Sequence, residues 1–176
     1  MDRRQRKSRK AIFDAFTTLL RSKRYEQITV QDIIDTADIS RSTFYAHFET
    51  KDMLLKAMCS DIFDHIFAGG LCDYHDHTPH LQAQLAHILW HLQEQKSYVL
   101  GILSCESGEL FMAYFKERLN TLFTMYLQEF PKTVPQDFLL NHLVGSFCEA
   151  VRWWARRGMT DQPETVAEHY IHSIRS

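Results

Sequence analysis

The sequence predicts an all-α protein of about nine helices, and three observations carry that prediction. Gly (6) and Pro (4) are scarce among 176 residues, β-branched runs are few, and apolar residues recur at helical spacing from one end to the other. With 45% hydrophobic and 24% charged residues, the chain is composed like a globular protein. Its length suits one domain, or a small domain fused to a larger one, with a real core.

The first helix is expected over residues 5–22, where Ile12, Phe13, Phe16, Leu19 and Leu20 form one apolar stripe. Its basic start, MDRRQRKSRK, followed by AIFDAFTTLL, superficially matches the opening of a secretory signal. Asp14 interrupts that stretch and no small-residue cleavage site follows, so an amphipathic helix is the better assignment.

The next two helices are short and strongly signalled. In ITVQDIIDTA, Thr29 is the N-cap, Asp32 occupies the capping-box position, and Ile28 can staple onto Ile33. Ile39, Ser40 and Phe44 repeat the staple and the cap, which places helices at about 29–36 and 40–47. Only ADIS separates them, the spacing of a helix-turn-helix. Thr50 then caps a longer helix through KDMLLKAMCSDIFDHIF.

On a helical wheel Phe44 and Phe48 lie about 40° apart and turn inward together. Ser42, Thr43, Tyr45 and Ala46 must then face out, where a major groove could receive them. Arg41 can offer a bidentate fork to a guanine edge, and Ser42 can pair with several bases. Thr43, Tyr45 and His47 suit phosphate oxygens. Lys51 and the N–H groups after Thr50, with Thr29 and Ser40 at the other helix starts, suit anions.

Charge supports the same division. Residues 1–51 hold 11 Lys and Arg against 7 Asp and Glu, whereas residues 52–176 hold 9 against 15. The basic part can meet phosphates, and the acidic part would be repelled by them. This gives an expected DNA-binding domain at 1–51 and a larger helical domain at 52–176, for which the family resemblance described next implies a regulatory and dimerisation role.

The run TVQDIIDTADISRSTFYAHFETKDMLL resembles the DNA-binding domain of the tetracycline-repressor (TetR) family of bacterial transcription regulators. The family's Tyr-x-His-Phe-x-x-Lys signature stands as Tyr45, His47, Phe48 and Lys51. The resemblance implies an all-helical homodimer whose third helix reads a palindromic operator in double-stranded DNA, and a small-molecule effector housed between the middle helices. Where the family usually has Gly in the turn, this chain has Asp38, a residue that tolerates the left-handed conformation required there.

Further helices are expected near 52–68, 78–95, 97–104, 107–129, 136–157 and 163–175. Phe63, Phe67, Trp90, Leu103, Phe111, Met112, Phe115 and Phe123 are candidates for lining an effector cavity, although aromatic residues at helical spacing also describe plain core. The last two helices carry apolar residues around much of their circumference, so Phe138, Val144, Phe147, Val151, Trp154, Val166 and Tyr170 are candidates for a dimer interface. This stretch also resembles the C-terminal region of short TetR-type regulators that include activators of dihydroxyacetone kinase genes.

Several classes are disfavoured. No run of 18 apolar residues suggests a membrane span, and Cys59, Cys72, Cys105 and Cys148 form no CxxC pair. A cytoplasmic setting is therefore expected. Cys72, Asp73, His75, Asp76, His77 and His80 crowd one segment, but their spacing is irregular, so no metal site and no cofactor is assigned. A metal response through this segment, or a coregulator acting through protein partners, stands as the alternative. No paired nucleophile and base, Gly-rich phosphate loop or HExxH points to an enzyme.

Overall fold

The computed structural model describes residues 3–68, 80–103, 108–130 and 133–175. Among the described residues there are nine α-helices and no strand: α1 (Arg3–Ser22), α2 (Val30–Ala37), α3 (Arg41–Tyr45), α4 (Lys51–Ala68), α5 (Leu81–Glu94), α6 (Lys96–Leu103), α7 (Gly108–Tyr126), α8 (Gln136–Arg156) and α9 (Pro163–Arg175). A 3-10 turn at Tyr25–Gln27 joins α1 to α2. The third helix is shorter than expected because the His47 amide turns back to the carbonyl of Phe44, three residues earlier, at 2.9 Å.

Two compact units are present, one built from Met1–Asp61 with Ser97–Glu109 and one from Ile62–Lys96 with Leu110–Ser176. In the first, α6 lies against α1 although four helices follow α1 before it. Gly101 permits that approach, since a Cβ there would sit 3.2 Å from Thr17 Cγ2. Arg21 holds the start of α6 by donating to the Ser97 carbonyl at 3.0 Å, and Tyr98 is hydrogen-bonded to Asp14.

Caps and a buried wedge fix the helix-turn-helix. Thr29 accepts from the Asp32 amide while the Asp32 carboxylate accepts from the Thr29 amide, a reciprocal box. Asp38 ends α2 in the left-handed conformation, φ 51° and ψ 54°, as expected for the position where Gly is usual. Ser40 then caps α3 by accepting from the Thr43 amide. Phe44 is fully enclosed with Ile12, Phe16, Ile33 and Leu54, and Phe48 is nearly so. The Phe48 ring stacks on Phe13 at 6.0 Å and tilts against Phe44 at 6.1 Å.

The second unit is organised by aromatic rings. Phe63 meets Phe111 at 4.9 Å and Phe115 at 5.5 Å. Phe147 of α8 contacts Phe115, Phe123 and Tyr170, so α8 is walled by α7 on one side and α9 on another. Tyr170 Oη donates to the Leu143 carbonyl at 2.7 Å, and Trp154 Nε1 to the Asp161 carbonyl at 3.0 Å. Gly158 (φ 70°) and Met159 (φ 50°) reverse the chain after α8.

These contacts correct the expected dimer set. Val144, Phe147, Val151, Trp154, Val166 and Tyr170 are all buried inside the protomer, whereas Phe138 is 64% exposed. Within the protomer, α7 and α9 each cover one side of α8. Trp153, 41% exposed and covered by the Arg157 guanidinium at 5.1 Å, joins Phe138 on the outer side.

Loss of the fully buried Phe44 ring is expected to cost about 3–5 kcal/mol of stability, from lost apolar burial and the cavity left behind. Urea unfolding of Phe44→Ala checks this, with Met53→Ala as the comparison. Met53 is 50% exposed, and its truncation is expected to stay within about 0.5 kcal/mol.

Candidate nucleic-acid interface

With Phe44 and Phe48 held inside, α3 turns Arg41, Ser42 and Tyr45 to solvent, and Thr43 is half-buried at its edge. Tyr45 is held edge-on by Phe44 at 5.5 Å, and the Arg41 guanidinium lies over its outer face at 5.9 Å. Both side chains are therefore partly ordered before any partner arrives. Ser40 Oγ sits 2.9 Å from Ser42 Oγ and 2.8 Å from Thr43 Oγ1, which ties the three hydroxyls into one cluster at the first turn. This edge can present a guanidinium fork, a phenol and hydroxyls together, a donor set suited to base edges and phosphates.

The other expected anion contacts are arranged differently. The Thr29 amide and hydroxyl both donate to Asp32 Oδ2 at 2.8 Å. The anion at the start of α2 is thus the protein's own carboxylate. The backbone N–H of Thr29, Lys23 at 2.9 Å and the Thr29 hydroxyl together hold the Asp32 carboxyl down at about 2.

Lys51 is likewise engaged with the protein. Its Nζ donates to the carbonyls of Tyr25 (2.8 Å), Ile28 (2.9 Å) and Glu26 (3.4 Å), and it lies over the Tyr25 ring at 4.4 Å. An ammonium has three donors, so a phosphate reached by Lys51 must compete with these carbonyls. Tyr25 also hydrogen-bonds Asp52, which locks the 3-10 turn onto the start of α4. His47 turns toward α1, where its Nε2 lies 2.7 Å from Ser8 Oγ. Burial, helped by the nearby Arg9 charge, lowers its pKa from the usual histidine value.

The residues proposed from sequence to line an effector cavity do not come together as one. Phe63, Phe111, Met112, Phe115 and Phe123 are fully packed core, Trp90 is 45% exposed, and Leu103 belongs to the first unit. A cavity of about 170 Å³ does open in the second unit, and of that set only Phe67 lines it, beside Ile66, Gln84, His87, Arg118 and Leu122. Arg118 of its wall pairs with Asp64 at 2.5 Å. Of the suggested metal segment, Cys72 to His77 lies outside the described residues, and His80 is an exposed residue preceding α5. Among the described residues no group of three or more His, Cys, Asp or Glu could hold a metal ion, and no described helix is long and apolar enough to cross a membrane.

A capped two-helix turn whose second helix exposes a polar, basic edge defines a helix-turn-helix DNA-binding protein. Residues 12–58 match the family described as bacterial regulatory proteins, tetR family, and residues 79–176 match a transcriptional regulator C-terminal region. The chain belongs to the TetR family of transcription regulators, not to a family of enzymes. The TetR transcriptional regulator from Streptococcus agalactiae 2603V is similar at 34% identity and a TM-score of 0.77, over 98% of this chain and 96% of that one. The dhaKLM operon transcriptional activator DhaS of Lactococcus lactis is 37% identical over 91 residues, 52% of this chain and 46% of DhaS. The HTH-type transcriptional regulator YxbF of Bacillus subtilis is 39% identical over 71 residues, 38% of this chain and 19% of YxbF. The matched segments thus span less than half the length of these two curated relatives.

Because His47 has a lowered pKa when folded, protonation favours the unfolded chain. Its contribution to stability is complete above the ordinary histidine pKa, near 6.5, and falls as pH drops through that value. An NMR titration is expected to place its midpoint below 6.5 and to move it upward in Arg9→Gln. A midpoint above 6.5 contradicts the arrangement.

Proposed function

We propose that the chain is a homodimeric, sequence-specific regulator, acting in the cytoplasm on a palindromic operator and controlled by a small-molecule effector. The observation that carries this is the edge of α3, where Arg41, Ser42 and Tyr45 are exposed above a buried Phe44. Arg41 reads a base edge, Tyr45 and Thr43 hold phosphates, and the caps at Ser40 and Thr29 keep the two helices in register.

Phe138 and Trp153 support self-association, being large apolar side chains that stay exposed on α8, Trp153 with the Arg157 guanidinium over its ring. A two-fold interface uses the same patch from both protomers. The cavity supports an effector, since a cavity of about 150 Å³ is enough to take up benzene. Helix α4 starts at Lys51, and near its end it supplies Ile66 and Phe67 to the cavity wall. An effector that prefers one setting of the cavity walls would tilt α4 and change the separation of the two reading helices.

Repression, with release by the effector, is the simplest outcome of that coupling. Activation is the second reading, favoured by the description of DhaS as a transcriptional activator. A reporter driven by the bound promoter, with and without the gene for this chain, separates the two.

Selection of bound fragments from random DNA is expected to return a palindrome. Arg41→Gln is expected to relax preference at one base pair of each half-site, at about 1–3 kcal/mol. Unchanged preference excludes Arg41 as a base reader. Light scattering is expected to show a dimer, and Phe138→Asp is expected to shift it toward monomer while leaving the thermal transition of the protomer cooperative.

A further inference from the structure

The cations in the first eight residues of α1 fall into two groups. Arg9 donates to both carboxylate oxygens of Asp61 at 2.7 Å and stacks over Phe13 at 5.0 Å, while Lys10 pairs with Asp14 at 2.7 Å. One turn earlier the pattern changes. Arg3, Arg4, Arg6 and Lys7 are all exposed, and among the described residues none is matched by a carboxylate.

The contact between Ser8 and His47 sets where this unmatched charge lies. His47 follows the last turn of α3, and its 2.7 Å contact with Ser8 seats the early part of α1 against that end of the reading helix. Arg4 precedes Ser8 by one turn, and the Ser8 hydroxyl donates to the Arg4 carbonyl at 3.2 Å. On the wheel Arg4 lies about 40° from Ser8, whereas Arg6 lies about 160° away, on the opposite side.

We propose that Arg4, flanked by Lys7, is a second phosphate-contacting edge of the reading head, engaging the duplex backbone just beyond the bases that face α3. The four residues from Ser8 back to Arg4 span about 6 Å of α1, and phosphates follow one another along a strand every ~3.4 Å of duplex axis. Arg4 therefore meets a phosphate outside the stretch covered by Tyr45. The guanidinium fork matches the phosphate oxygens, and the contact adds affinity and register without reading sequence. This inference rests on α3 being the helix that faces the duplex.

The test is fluorescence anisotropy of the full chain over a range of salt, with a duplex recovered by selection and an unselected duplex of equal length. Arg4→Gln is expected to weaken binding to both duplexes and to lower the slope of log affinity against log salt by about 0.9 per protomer. Arg6→Gln removes the same charge from the far side of the helix and is expected to change the slope much less. An Arg4→Gln slope equal to that of the unaltered protein overturns the proposal, as does an equal loss in Arg6→Gln, which would make the effect one of net charge. In either case, continued preference for the selected duplex leaves α3 standing as the reading helix.

Discussion

The reading head depends on burying Phe44, from a helix too short to support itself, and Phe48 just beyond that helix. Helix α3 is five residues long, far below the length at which a helix persists in water without packing. Its conformation comes from Phe44, fully buried and tilted against the Phe48 ring, and from Phe48 stacked on Phe13. Because those rings fix the rotation of α3 about its axis, they also decide which side chains face outward. Exposure of Arg41, Ser42 and Tyr45 is the other side of the same constraint.

A second set of interactions holds the neighbours of α3 in place. Lys51 collects three carbonyls of the turn between α1 and α2, and Tyr25 bonds Asp52 of α4. An ammonium gathered onto carbonyls replaces the hydrogen bonds that a turn lacks internally. The signature lysine thus acts first as a brace.

Local chemistry was legible in the sequence. The capping box at Thr29 and Asp32, the left-handed Asp38 and the cap at Ser40 are each decided within three or four residues, so their pattern is visible along the chain. The inward turn of Phe44 and Phe48 follows from helical period alone. Contacts between distant positions left no such trace. Ser8 and His47 are 39 residues apart, and nothing in either neighbourhood announces their contact. The apolar girth of α8 was ambiguous for a different reason, because a helix walled by α7 and α9 has the same composition as one shared with a partner. Most of the aromatic rings considered for a cavity pack against one another, and of them Phe67 lines the observed cavity together with Gln84, His87 and Arg118, polar residues that an aromatic pattern does not single out.

Amide NMR of the protein titrated with a selected duplex tests the central claim most directly. The account predicts large shifts along Arg41, Ser42, Thr43 and Tyr45, with the aromatic signals of Phe44 and Phe48 retaining their buried environment. Shifts concentrated on α8 and α9 with α3 unmoved, or release of the Phe44 ring on binding, would contradict it.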